Sequence, residues 1–158
     1  MSEFIIREAV VEDVPQILTF IKELAVFEEM LDMVTATEQD LIHSLFPSEG
    51  SPIAHVLMAT TTALEPAGFA LYFHNYSTFT GKKGLYLEDL FIREEFRRGG
   101  LGTKFFSTLR SIAAQKGCSR MEWVVLDWNK KARDFYTQKM GATELNSWII
   151  CRLNKDQL

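Results

Sequence analysis

The sequence predicts a mixed α/β (α+β) fold, a single domain over residues 1–158 with the element order β-α-α-β-β-β-α-β-α-β. Three observations carry this. The chain has 158 residues, 47% of them hydrophobic, which is enough apolar surface for one core. Some segments repeat apolar residues at the helical period, while others are short, continuous apolar runs. Capping residues, glycines and prolines fall between them, and no internal repeat, low-complexity tract or linker interrupts the order.

In chain order, Phe4-Ile5-Ile6 reads as a short buried strand. Asp13 followed by Val14-Pro15 marks a helix start, and Ile17, Ile21, Leu24 and Ala25 form one apolar face of a helix running to about Glu28. The acids Glu28 and Glu29 close that helix at its negative end, beside Phe27 and Met30, as a solvated terminus or as part of a ligand site. Thr37-Glu38-Gln39-Asp40 resembles a capping box and opens a second short helix, which Pro47 stops. His55–Ala59 and Ala67–Phe73 read as neighbouring antiparallel strands around a turn near Leu64-Glu65-Pro66. Tyr76 to Gly84 reads as a polar loop whose aromatic residues line a pocket or anchor the loop.

A long strand, Leu85 to Ile92, leads through a glycine-rich turn into a helix from about Gly100 to Lys116, with Leu101, Phe105, Leu109, Ile112 and Ala113 on one face. Gly117 suits its C-terminal end. Met121–Leu126 is a strand, Asp127-Trp128-Asn129 enters a helix that Gly141 ends, and Trp148 to Leu153 makes a last strand.

The net charge of -4 lacks the basic excess of a nucleic-acid footprint and mildly favours a cationic ligand. Cys118 and Cys151 lie far apart and outside any Cys-x-x-Cys motif, which points to buried reduced thiols and to no metal site or disulfide framework. Met1-Ser2-Glu3 and the apolar run after it lack the pattern of a signal peptide, and no window approaches the roughly 20 apolar residues of a membrane span. The expectation is a cytoplasmic protein with no nucleic-acid or membrane partner.

The chemistry gathers around the strand Leu85-Tyr86-Leu87-Glu88-Asp89-Leu90-Phe91-Ile92 and the turn Arg97-Arg98-Gly99-Gly100-Leu101-Gly102-Thr103-Lys104. Glycines that open a helix present bare amides at the positive end of its dipole, and Arg97, Arg98 and Lys104 add charge, which together suit a phosphate group. The order Gly102-Thr103-Lys104 reverses that of a P-loop, and Phe105 stands where a dinucleotide fingerprint needs glycine or alanine.

Arg97-x-x-Gly100-x-Gly102 after an apolar strand and before a helix resembles the acetyl-CoA signature of the GNAT superfamily of N-acetyltransferases. Ile21–Ala25, Leu85–Asp89, Trp128-Asn129 and Asp134-Phe135-Tyr136 look like the corresponding blocks of its spermidine/spermine branch, which includes diamine and thialysine acetyltransferases. The resemblance implies a mixed, mostly antiparallel sheet flanked by helices, a homodimer, acetyl-CoA as co-substrate and a small amine as acceptor. It implies cofactor contacts at Leu90, Phe91 and Ile92, at Arg97, Arg98, Gly99, Gly100, Leu101, Gly102 and Thr103, and at Asn129. Glu88 and Tyr136 would be the catalytic pair, with acceptor contacts at Phe27, Glu28, Glu88, Asp89, Glu122, Trp123 and Val124.

These residue types suit the reaction. At neutral pH on the order of one alkylamine in a thousand is unprotonated, so a carboxylate such as Glu88 that holds the ammonium and removes its proton meets the main obstacle. Amides near Phe91 and Ile92 would stabilise the charge that develops on the thioester oxygen, and the Tyr136 phenol would donate to the leaving thiolate. On position alone Tyr136 reads as an ordinary core aromatic, which the family pattern from Asn129 to Tyr136 reverses, and Asn129 is either a helix cap or a pantetheine contact. In a regular strand Glu88 and Asp89 point to opposite faces, unless a bulge re-aims one of them.

Two departures bear on the acceptor. Ser77-Thr78-Phe79 lacks the Asp-Pro-Trp common in the animal polyamine enzymes, and Leu145 to Trp148 is shorter and lacks their acidic pair. A small diamine, thialysine or an ornithine-like amine needs fewer distal carboxylates than a long polyamine. A peptide or protein N-acetyltransferase and a non-catalytic CoA-binding module remain the alternative functions.

Overall fold

The computed structural model describes residues 3–158; Met1 and Ser2 of the expected N-terminal segment lie outside the described residues. Five strands form one sheet in sequence order: β1 (Phe4–Glu8), β2 (His55–Thr61), β3 (Pro66–Ser77), β4 (Lys82–Ile92) and β5 (Met121–Glu122). The helices are α1 (Val14–Phe27), α2 (Glu38–Leu45), α3 (Leu101–Gln115) and α4 (Lys130–Asp134). Strands β1 to β4 pair antiparallel, and β5 pairs parallel to β4 because the chain crosses over through α3. The sheet is thus mixed and mostly antiparallel, as expected.

The chain divides into two compact units, one through Val124 and one of Val125–Leu158. In the first, the inward face of α1 packs on the sheet. Phe20 is fully buried, with its ring centroid 5.6 Å from that of Phe69 and 6.0 Å from that of Phe91. Val14, Ile17, Leu41, Leu45, Val56 and Met58 complete this core. Burying a side chain of that size is worth about 2–3 kcal/mol. Arg93, one residue past β4, then locks α1 in place: Nε and Nη2 donate to Glu23 at 3.0 and 2.7 Å, Nη1 donates to the Pro66 carbonyl, and the guanidinium lies 5.1 Å from the Phe20 ring.

Helix α2 starts as its sequence predicts, with the Thr37 hydroxyl accepting from the Asp40 amide and the Asp40 carboxylate accepting from the Thr37 amide. Helix α3 belongs to the opposite side of the sheet. Phe106 of α3 meets Trp123 edge to face at 5.1 Å, and Cys118, just past α3, has Sγ 3.6 Å from His74 Nδ1.

Several expectations change. The loop between Tyr76 and Gly84 is shorter than expected, because β3 runs to Ser77 and β4 begins at Lys82. Its Phe79 is 97% exposed and lines no pocket. The strand expected over Met121–Leu126 keeps only Met121 and Glu122, the two residues with register partners on β4. In the second unit, Trp148 to Leu153 forms no strand. A strand exists through a ladder partner, none is present for it among the described residues, and Trp148, Ile149, Ile150 and Leu153 are exposed. Cys151 within it is exposed, and Cys118 is only half-buried, so neither thiol is buried as expected.

Candidate active site

Register decides which side chains share a face. Phe69 pairs with Phe91, and both rings meet Phe20 of α1. Leu71 lies two residues along β3 from Phe69, and its partner is Asp89, so Asp89 also faces α1. The next pair is Tyr72 with Leu87, which leaves Glu88 as the extra residue of a β-bulge. Beyond it Phe73 pairs with Tyr86, and Tyr86 pairs with Glu122 of β5, again on the α1 side. The bulge lets Glu88 and Asp89, adjacent in sequence, act on one site instead of being divided between the two faces.

Electrostatics agrees with this grouping. The Asp89 carboxyl is pushed up to about 6, by burial first and then by the charges of Glu88 and Glu28. Tyr86 is raised by burial, then by Glu88 and Glu122. Burial also raises Glu28, which caps α1 at the negative end of its dipole. That end is a Schellman turn, with the Met30 amide on Ala25 O and the Glu29 amide on Val26 O. Glu29 takes the left-handed position at φ +58°, where glycine is usual. Among the described residues no cation pairs with Glu28, Glu88 or Asp89. Half-buried Glu28 and Asp89 with exposed Glu88, the charges of Glu28 and Glu88 both acting on Asp89, suit something cationic.

The turn before α3 is built for the opposite charge. Arg98 has φ +67° and Gly100 φ +85°, an alternation of hands that turns successive amides to one side. Gly100 caps a 15-residue helix with no side-chain cap, so the first-turn amides of Leu101, Gly102 and Thr103 stay open until Lys104 N bonds Gly100 O. Thr103 Oγ1 is buried without a hydrogen-bond partner. This donor set fits the pyrophosphate of a CoA ester.

Two basic residues of the turn serve differently from what their charge suggests. The Lys104 ammonium donates to the Phe4 carbonyl of β1 and so fastens the helix to the sheet. Arg97 Nε donates to the Ile92 carbonyl at 2.8 Å, and its guanidinium lies 5.1 Å from the Phe27 ring and 5.9 Å from that of Phe91. Phe27 therefore touches the signature turn through Arg97, and the Nη nitrogens are what Arg97 has left for an anion.

The amides of β4 sort by alternation. Arg93 N bonds Ala67 O, so Phe91 turns its amide to β3 while Leu90 and Ile92 turn theirs to the other edge. Among the described residues that edge is paired to β5 only at Leu85 and Tyr86, so the amides that face it are those of Leu90 and Ile92, whereas Phe91 of the expected pair turns away.

The three expected acceptor residues of β5 and its continuation separate. Glu122 faces the carboxylate side, where its Oε2 accepts from Asn75 Nδ2 at 3.0 Å and from Arg120 Nε at 2.9 Å. Trp123 turns the other way, onto Phe106 of α3. Val124 is half-exposed. Asn75 and Arg120 were not expected in the site. The only sequence signal for Asn75 is Gly84, its register partner, whose missing Cβ would lie 2.3 Å from Asn75 Oδ1.

In the second unit, Asn129 caps α4, its Oδ1 accepting from the Ala132 amide at 3.2 Å. Helix α4 then widens into a π-helical turn, Phe135–Lys139, closed by Met140 N on Phe135 O. Such turns are frequent at functional sites, and this one carries Tyr136. Burial pushes the Tyr136 phenol up to about 12, so it keeps its proton at neutral pH.

Comparison with known proteins agrees with this chemistry. A porcine (Sus scrofa) thialysine N-epsilon-acetyltransferase is 39% identical over 168 residues, covering 100% of this chain and 96% of its own. The L-ornithine N5-acetyltransferase of Arabidopsis thaliana is 33% identical, covering 97% of this chain and 85% of its own. An aminoglycoside acetyltransferase from an uncultured soil metagenomic sample, solved with sisomicin, superposes with a TM-score of 0.78 at 18% identity over 96% of this chain and 97% of its own, a likeness of fold. The model of the acetyltransferase (GNAT) family matches residues 20–142, and the chain belongs to that family, whose members are acyltransferases that use acetyl-CoA as co-substrate.

Proposed function

We propose that the chain acetylates a primary amine of a small cationic acceptor in a ternary complex, with Glu88 removing the ammonium proton and Tyr136 donating to the leaving sulfur. The observation that carries this is the bulge at Glu88, which groups Glu88, Asp89 and Glu28 without a compensating cation. Acetyl-CoA supplies an acyl carbon open to attack by an amine. The chain's residues do the rest. The turn amides of Leu101, Gly102 and Thr103 hold the pyrophosphate, the amides of Leu90 and Ile92 meet the reacting arm, and the acidic group collects the acceptor's ammonium.

Glu88, exposed on the bulge, hands the proton to solvent, whereas half-buried Asp89 keeps the field negative where the amine sits. Asn129 uses its Oδ1 to cap α4 and keeps its side-chain NH2 for a bond to the pantetheine arm. The match of the family model across residues 20–142 supports reading both units as one catalytic domain. The names of the relatives, a thialysine and an ornithine acetyltransferase, support an acceptor with a short side-chain amine. We read the enzyme as a cytoplasmic homodimer; the exposed apolar residues Trp148, Ile149, Ile150 and Leu153 support a contact between copies, and light scattering reads its mass. Among the described residues no helix is long and apolar enough to cross a membrane.

The test is release of free CoA thiol across polyamines, diamines, lysine analogues, ornithine and short peptides. Turnover on small amines is the expected outcome. Activity confined to peptides, or acetyl-CoA binding with no turnover on any amine, sinks the reading.

A further inference from the structure

The face that carries Asp89 has two ends of different electrical character. At one end Glu28, Glu88 and Asp89 have no cation among the described residues. At the other, Glu122 is held by Asn75 and ion-paired with Arg120. Between them lies a floor of two rings, Phe73 and Tyr86, with centroids 5.1 Å apart. Tyr86 is influenced by both Glu88 and Glu122, so both ends lie along this one floor. Asp89 is two register steps from Tyr86, about 7 Å along the strand, and β5 lies about 5 Å across, so the ends are about 9 Å apart.

The far end is constructed rather than incidental. Gly84 leaves the space that the Asn75 amide fills, and a Cβ there would lie 2.3 Å from Asn75 Oδ1. Arg120 also reaches Ser77 Oγ at 3.4 Å, which fixes the guanidinium from β3. The side chains of Arg120 and Glu122 remain 41% and 30% exposed, so a ligand can reach both. An arginine has five donors; Nε is used on Glu122 and one Nη1 hydrogen on Ser77, which leaves three on its outer nitrogens for a second carboxylate.

A long polyamine would bring a second ammonium to this end, where Arg120 already compensates Glu122 and repels it. An amino acid with a side-chain amine brings an ammonium and a carboxylate side by side, matched in sign to Glu122 and Arg120. We propose that Arg120 and Glu122, fastened by Asn75, form a head-group subsite for acceptors that carry an α-ammonium and an α-carboxylate, and that Arg120 selects these over polyamines. The subsite rests on the acetyltransferase reading, which makes the Glu88 end the place of the reacting amine. It adds Arg120 and Asn75 as specificity-determining residues.

The experiment compares L-ornithine with putrescine, the same diamine without the carboxylate, by calorimetric titration into the CoA-loaded protein. The wild type binds L-ornithine more tightly. In Arg120→Gln the affinity for L-ornithine falls about tenfold, while that for putrescine holds or rises because Glu122 is left uncompensated. Arg120→Lys, which keeps the charge and loses the planar fork, restores part of the preference. CoA affinity and the thermal melt of each variant report on folding, and a merely structural ion pair would shift both ligands alike. An unchanged ratio of the two affinities in Arg120→Gln, or a wild type that prefers putrescine, overturns the subsite. Thiol release is followed in parallel: its absence with every amine overturns the acetyltransferase reading, whereas the ratio of affinities decides the subsite either way.

Discussion

The turn before α3 and the bulged strand β4 both serve charged ligands, but they are made of different material. The turn offers backbone: the amides of Leu101, Gly102 and Thr103, aimed by the left-handed residues Arg98 and Gly100. The strand offers side chains: Glu88 and Asp89, aimed by a bulge and joined by Glu28 from α1. A site made of backbone depends on a few conformational angles and accepts many side chains around it. A site made of side chains depends on register, and a slip of one residue moves its carboxylates to the other face.

The largest effect should come from the strand. Glu88→Gln keeps the shape and the bulge but removes the proton acceptor, so kcat should fall about 10²–10³-fold with little change in acetyl-CoA affinity. Tyr136→Phe should cost less, because water can replace a proton donor to a thiolate more easily than a base for an ammonium. Pre-steady-state and steady-state thiol release separate chemistry from binding in both variants. If Glu88→Gln instead weakened acetyl-CoA binding and left kcat intact, the division of labour between strand and turn would be wrong.

The same contrast explains how much was legible in the sequence. The turn could be read directly, because Arg97-x-x-Gly100-x-Gly102 before a helix names the backbone conformation it needs. So could α1, α2 and α3, from period and caps. The placement of Glu88 and Asp89 could not, because a bulge is a relation between two strands and Leu71 carries no mark of it. Lys104 and Arg97 are legible only in part for a related reason: the sequence shows their charge, but not the Phe4 and Ile92 carbonyls that engage them. Arg120 gives no signal and Asn75 gives one only through Gly84, since each matters through its contact with Glu122. The apolar run from Trp148 to Leu153 reads as a strand by composition, yet a ladder needs a partner that composition does not specify.

A second test asks what the crowded carboxylates cost the fold. Asp89 holds its proton more tightly folded than unfolded, up to about 6 against an ordinary value near 3.9. Its unfavourable contribution is therefore absent below about pH 4, grows as pH rises through the folded value, and is complete at neutral pH. Asp89→Asn should stabilise the protein by about 2 kcal/mol at pH 7.5 and by almost nothing at pH 4, as read from urea unfolding at each pH. A gain that does not depend on pH would mean that packing, not charge, governs the site. Reduced turnover in the same variant would show that this instability is kept for the acceptor's sake.

The smallest effect belongs to the turn. Nothing lies within 4 Å of a Cβ built on Gly100, so a side chain there meets no steric obstacle; the cost comes from its φ of +85°. Gly100→Ala should lose about 1 kcal/mol, seen as a several-fold weaker acetyl-CoA affinity with kcat retained, because the cradle must be bent into shape on binding. Asparagine tolerates the left-handed region better than alanine, so Gly100→Asn should lose less although its side chain is larger. At Gly99 the order of sizes should hold instead, since a Cβ there would come within 3.3 Å of Phe4 and a larger group would press on β1. Titrating acetyl-CoA into the four proteins, Gly100→Ala, Gly100→Asn, Gly99→Ala and Gly99→Asn, checks the reversal. Were asparagine the worse residue at both glycines, space rather than backbone conformation would limit the cradle, and the turn would resemble the strand more than its sequence implies.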